Sequence, residues 1–400
     1  MGKFIVCGTL FDGVSKTLQT DVAIEVEGSK IVRILPKSAV PAENAEIIDL
    51  SDKFVSPGFI DLHAHVVMDG QIDPFNDMLY TSHAASTIDG ILRAQRDLLA
   101  GFTTIRDCGG SRTGDAIAIR DAINNGKIDG PRMLVSGPYL VTSGVNTLYQ
   151  DGGLTFDGVD EALKVARQAA VTGVDQIKHL GILHVTTEEM QALGLVARET
   201  GKLYSIHATD RLTVWKAANA APDSIEHCED CDDRSLELII KNGICIVPTF
   251  CPIYYSKQYA EQCKANGTMS PELADRKIAR ANRHFEQFPR LVKSGAIIGF
   301  GADTGATLIK HGDQAIEMEF MNRYGMAPID ILLSATSVAA KVLRMADKIG
   351  AVAPGMLADL VAFDGDPIAD IRVTQDCKFV MKNGVVYKGA GARQLAPALA

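Results

Sequence analysis

Between residues 88 and 303 the order of apolar and polar positions repeats one unit. A segment with helical spacing ends in glycine, an apolar run of strand length follows at once, and that run ends in polar residues. The unit appears at Leu98-Leu99-Ala100-Gly101 followed by 102–107, and at Ala170-Val171-Thr172-Gly173 followed by 174–179. It returns at Gly201, Gly243 and Gly295, before 202–207, 244–249 and 296–303. Glycine just past a helix is the usual left-handed terminator. The helical segments are amphipathic: Ile88, Ile91, Leu92, Leu98 and Leu99 share one face, with Gln95 off pattern. Thr186-Thr187-Glu188-Glu189 predicts a capping box at one helix start. Three further strand-like runs, 54–65, 132–140 and 224–227, bring the total to eight. Eight strands alternating with helices predict an α/β fold of the (β/α)₈ TIM-barrel type. An open doubly wound sheet is the structural alternative, but the chain has neither a G-x-G-x-x-G after its first strand nor a phosphate-binding P-loop.

The two ends of the chain follow another period. Short alternating runs at 4–10, 22–26, 30–35 and 45–50 are separated by Gly, Pro, Ser and Asp, and 356–361 and 379–387 read the same way. Asn383-Gly384 between apolar alternations predicts a tight hairpin. Residues 1–55 and 356–389 are therefore expected to form one small β domain, with the barrel at 56–355 and a frayed tail at 390–400.

Composition narrows the function class. Apolar residues make up 46% and charged residues 22% of 400, and the net charge of −9 is dispersed. A nucleic-acid surface would need a basic patch, and no apolar run reaches the length of a bilayer span. The start of the chain enters a strand pattern without a leader's apolar segment, and Gly2 lacks the Ser or Thr of a myristoylation signal. The eight cysteines are scattered, and Cys228-Glu229-Asp230-Cys231 has no second pair to complete a zinc site, so they read as reduced structural residues. The expectation is a cytoplasmic homo-oligomer acting on a small molecule or dipeptide, with no nucleic acid and no membrane partner.

In a parallel barrel the functional side chains gather at the carboxyl ends of the strands. Those ends carry His63 and His65, Lys178, His207, His227 and Asp303. His63 and His65, two residues apart in a strand, project from one face. Each residue alone has an ordinary structural reading: a hydrogen-bonded histidine, a paired lysine, an aspartate capping a helix. All at one mouth, they form a donor set for divalent metal.

This combination resembles the amidohydrolase superfamily, within it the binuclear dipeptidase and carboxypeptidase branch that includes Xaa-Pro peptidases. The phrases Pro57-Gly58-Phe59-Ile60-Asp61, Gly101-Phe102-Thr103-Thr104-Ile105-Arg106-Asp107 and Pro354-Gly355-Met356-Leu357-Ala358-Asp359-Leu360 carry the likeness further. The resemblance implies two metal ions, zinc first among the candidates. His63, His65 and Asp303 would hold the more buried one, His207 and His227 the other, and Lys178, carboxylated by CO₂, would bridge them. It implies a metal-bridging hydroxide as nucleophile and Asp303 as general base and then acid. His179 is expected on the opposite strand face. The substrate expected is a dipeptide or N-acyl amino acid. Two departures favour a second reading, a non-peptide amide, carbamate, urea or cyclic amide: Val145 and Thr209 stand where many of the dipeptidases carry His, or Tyr or His. A non-catalytic scaffold is the third reading, and the full ligand set speaks against it. Asn146, Thr209 and His311 are the candidate substrate contacts. Arg106 and Asp107 are expected to pair with each other or to fix the end of the second strand.

Overall fold

The computed structural model describes residues 2–43, 45–74, 80–110, 114–144, 153–181 and 184–395. Eight parallel strands form the barrel: β1 (Phe59–Ala64), β2 (Phe102–Asp107), β3 (Arg132–Val135), β4 (Gln176–Leu180), β5 (Leu203–Ala208), β6 (Ser224–His227), β7 (Cys245–Val247) and β8 (Ile297–Ile298). Ladders join β1 to β3 and β4 to β8. Two seams close the ring. At one, Asp175 donates its N–H to the Val135 carbonyl at 2.8 Å while its carboxylate accepts the Val135 N–H at 2.9 Å. At the other, the segment after β8 pairs with β1, Leu62 N to Phe300 O at 3.0 Å and Thr304 N to His63 O at 3.2 Å. Gly301 permits that approach, since a Cβ there would lie 2.4 Å from Val247 Cγ1 and 3.0 Å from His63 Cβ.

The helices around the ring are α1 (His83–Leu99), α2 (Asp115–Asn124), α3 (Val159–Val171), α4 (Thr187–Glu199), α5 (Arg211–Ala220), α6 (Asp233–Asn242), α7 (Phe250–Ala265), α8 (Pro271–Lys293) and α9 (Ile316–Arg323). Their apolar faces bury Leu98, Leu193, Val214, Ile239 and Phe285 against strand residues such as Ile105 and Ile206. The capping box forms: Glu189 N donates to Thr186 Oγ1 at 3.2 Å, and Thr186 N to Glu189 Oε2 at 2.6 Å. The five predicted terminator glycines, 101, 173, 201, 243 and 295, all have positive φ. Two helices, α7 and α8, follow β7 where the repeating unit has one. No helix among the described residues is long and apolar enough to cross a membrane.

The chain ends meet in a separate eight-stranded sheet. Its order is Val385–Lys388, Cys377–Lys382, Leu360–Phe363, Glu46–Pro57, Lys3–Leu10, Val22–Glu27, Lys30–Pro36, with Gln19–Thr20 beside Lys3–Leu10. It packs around Ile5, Leu10, Ile24, Val55, Leu360 and Phe379. Asn383 and Gly384 both take positive φ, 50° and 75°, as a two-residue hairpin turn requires. Arg132 ties the sheet to the barrel through Asp359 and Asn383, each at 2.7 Å.

Several strand limits differ from the sequence reading, among them three that alter which sheet a run joins or where it begins. The run 54–65 is two strands in different sheets, divided at Gly58, where a Cβ would strike Thr103 Oγ1 at 2.2 Å. The run 132–140 breaks at Ser136-Gly137-Pro138. The second piece, Tyr139–Thr142, joins Gly153–Phe156 and touches β4 through Leu140 and His179. The strand expected from 356 begins at Leu360, because 354–358 form a turn and a crossing against Lys30 and Ser29.

Candidate metal centre

The six strand-end residues line one cavity of about 340 Å³. His63 sits between two other rings, with centroids 5.2 Å from His65 and 5.1 Å from His227, and His207 lies 4.4 Å from His227. Asp303 Oδ1 is 3.4 Å from His63 Nε2 and 3.1 Å from His65 Nε2. One donor atom each from His63, His227 and Asp303 fall within 4.8 Å of one another.

The surroundings fix which ring nitrogen faces the cavity. His63 Nδ1 donates to Glu226 Oε2 at 2.8 Å, and His65 Nδ1 donates to the Gly109 carbonyl at 2.7 Å. His227 Nδ1 donates to Thr249 Oγ1 at 2.6 Å; that hydroxyl gives its own proton to Pro248 O at 2.8 Å, so it can only accept from the ring. Each neutral ring therefore turns an unprotonated Nε2 inward, the arrangement that outer hydrogen bonds impose on metal-binding histidines. Among the described residues, Asp303 Oδ1 accepts no hydrogen bond despite its short distances to two rings, and Lys178 Nζ is buried with no hydrogen-bond partner. Lone pairs converge on one another without a proton between them. A divalent cation satisfies that arrangement, and the donor set fits it.

Burial, reinforced by the Lys178 charge, lowers His63 to about 4, and burial holds His207 and His227 well below the usual imidazole range. Burial also opposes charge on His65, but Asp303 overcomes it and raises its pKa. For Asp303 itself burial pushes upward, and His63, His65 and Lys178 win, lowering it to about 2. The result is three imidazoles held neutral, those of His63, His207 and His227, beside an ionised carboxylate.

Below this floor lies a buried pair. Arg106, fully enclosed, reaches Glu226 Oε1 at 2.7 Å and Ser224 Oγ at 2.8 Å. Burial works against charge on Glu226, but Arg106, Lys178 and His63 hold its pKa far below the carboxylate range. Glu226 is thereby an anionic acceptor that fixes the tautomer of His63.

The sequence profile of the amidohydrolase family matches residues 54–389. The chain belongs to that family. It is 27% identical to the ochratoxinase of Aspergillus niger over 382 aligned residues, covering 84% of this chain and 76% of that one. It is 24% identical to the imidazolonepropionase of Cutibacterium acnes, covering 86% and 83%. Among solved structures, a Xaa-Pro dipeptidase with methionine bound in its active site superposes with a TM-score of 0.87 at 30% identity, covering 97% of this chain and all of that one. The protein is a hydrolase of a family that generally uses divalent metal.

The amidohydrolase differs from the sequence reading in several particulars. His311 does not line the cavity. Its ring lies buried, Nδ1 at 2.8 Å from Asp97 and Nε2 at 3.2 Å from the carbonyls of His65 and Met68, so it braces the loop after β1. Thr209 is half-buried and lies off the cavity wall. Asn146, like Val145, falls outside the described residues. Arg106 pairs with Glu226 rather than Asp107, and Asp107 fixes the strand end by accepting from Val66 N at 2.9 Å and Gly109 N at 3.0 Å. His179 turns away as expected and donates to Leu140 O at 2.8 Å. Cys228 and Cys231 are buried, and their mutual hydrogen bond and burial push the Cys228 thiol up, as suits a structural pair.

Glu226 went unread for a clear reason. Strand alternation puts it opposite His227, yet both face inward. His227 has φ of 67°, which turns its side chain back to the mouth. Asp303 and Thr249 also have positive φ, 58° and 51°. Strained backbone gathers at the ends of β6, β7 and β8, where donors must be aimed rather than merely buried.

Proposed function

We propose that this amidohydrolase cleaves the C–N bond of a dipeptide or N-acyl amino acid. In this reading His63, His65 and Asp303 would hold one divalent ion, His207 and His227 would hold a second, and a carboxylated Lys178 would serve both. Zinc suits imidazole and carboxylate donors. The observation that carries the reading is the pair of buried, unpartnered atoms, Asp303 Oδ1 and Lys178 Nζ, among inward-facing imidazole nitrogens. A bare ammonium would oppose a dication, whereas carboxylation turns Lys178 into an anionic donor with two oxygens. When bound, the ions would polarise the substrate carbonyl and acidify the attacking water.

The chain's own groups do the rest. Glu226, Gly109 and Thr249 hold three imidazoles in one tautomer. Asp303, ionised and with an oxygen free of hydrogen bonds, takes the proton from the attacking water and delivers it to the leaving nitrogen. Leu180, Pro252, Ile253 and Ala306 give the wall an apolar side that keeps water away from a bound acyl or side-chain group. A cavity of about 340 Å³ suits a substrate of dipeptide size.

The test is a hydrolysis screen of metal-loaded protein supplied with bicarbonate, with Asp303→Asn as blank. Xaa-Pro, Xaa-Arg and apolar dipeptides would stand beside N-acyl amino acids, carbamates and cyclic amides. Release of amino acid from the first groups, absent in the blank, supports the reading. Turnover confined to carbamates, ureas or cyclic amides would replace it with the second reading, which Val145 and Thr209 favour.

A further inference from the structure

Among the described residues of the cavity wall the acids and bases cancel, with one exception. Asp303 and Lys178 belong to the centre. Above them Glu229, buried on the turn after β6, binds Arg280 of α8 through both oxygens, at 2.6 Å each. Lys277 lies three residues before Arg280, on the same helix face, and also lines the cavity. Its side chain is exposed and makes no hydrogen bond or ion pair with any described residue. Close by, Lys264 of α7 pairs with Asp275 of α8 at 2.5 Å. Among the described residues that line the cavity, one uncompensated positive charge stands at the mouth, beside the apolar patch around Ile253 and Pro252 of α7.

We propose that Lys277 is a specificity-determining residue that selects substrates carrying a free carboxylate. Its ammonium pairs with that carboxylate while the apolar patch receives the neighbouring side chain and the scissile amide reaches the floor. The inference rests on the acylamino-acid reading above and adds to it the residue that reads the charge. Lys277 belongs to α8 and none of the donors of the centre does, so it acts on binding and leaves the chemical step alone.

The experiment compares the best dipeptide or N-acyl amino acid of the screen above with its C-terminal carboxamide on the metal-loaded protein and on Lys277→Met and Lys277→Arg. The expected result for Lys277→Met is a KM for the carboxylate raised about five- to tenfold, between the effect of an exposed ion pair and that of a charge-assisted hydrogen bond. Its kcat should stay within about twofold, the KM for the carboxamide should not move, and Lys277→Arg should restore the preference. Turnover with both KM values unchanged, or both raised together, overturns the role of Lys277 and leaves the hydrolase reading standing. A screen in which no dipeptide and no N-acyl amino acid turns over overturns the reading above and this proposal with it.

Discussion

The floor and the roof of the cavity are built on opposite principles. The floor collects residues as far apart in sequence as His63 and Asp303, and each is held by something buried: a strand ladder, a carbonyl, the Arg106–Glu226 pair. The roof comes from one continuous stretch, α7 and α8, with Lys277 and Arg280 exposed on it. The difference teaches where each kind of change is tolerated. Altering the floor disturbs a connected polar network in low dielectric, whereas altering the roof changes what fits.

Four substitutions sharpen that contrast. The largest effect belongs to Asp303→Asn, which removes the proton carrier and metal donor of the proposed function; kcat/KM should fall by about 10³-fold or more in steady-state assays. Glu226→Gln comes next. It leaves Arg106 buried without its charge partner, so denaturant titration should show a loss of about 3–5 kcal/mol, and metal affinity should fall by about 10- to 100-fold as His63 loses its fixed tautomer. On the roof, Ile253→Ala should raise KM for apolar substrates several-fold with kcat nearly unchanged. If it lowered kcat as far as Glu226→Gln does, the division between floor and roof would collapse.

The pH-dependent effect concerns the joint between the two. Glu317 of α9 accepts the N–H groups of Phe250 and Cys251 at 2.7 and 2.9 Å, anchoring α7 just past Thr249. Burial raises its pKa from 4.5 to about 8. The folded state thus binds this proton more tightly than the unfolded chain. Its contribution to stability is full below pH 4.5 and is lost as pH rises toward about 8. Thermal melts of Glu317→Gln should lack that part of the slope, gaining on the unsubstituted protein as pH increases. An unchanged difference across the window would show that the carboxyl does not titrate there.

The floor was largely legible in the sequence because strand alternation and the glycine-ended helices are local signals. His63, Lys178 and His207 sit where a period of two puts them, and the capping box at Thr186 marks a helix start that the structure contains. What was hidden depends on long-range or strained geometry. Glu226 needed the positive φ of His227 to share its face, and Arg106 needed a partner 120 residues away. His311 looked available only because nothing local announces Asp97, which lies 214 residues earlier. In the small sheet the hairpin at Asn383-Gly384 was readable. The parallel pairing of Lys3–Leu10 with Glu46–Pro57 was not, since no turn residue encodes it. The roof carries ordinary helix patterning, so its place over the cavity is a property of the fold and not of the stretch itself.

The most direct test of the central claim is the metal content of the protein prepared with excess zinc and bicarbonate, measured beside Lys178→Met. The account predicts about two ions per chain, falling to about one or fewer when the bridging group is lost, with the fold retained. No bound metal in the unsubstituted protein, or a full complement in Lys178→Met, would contradict it.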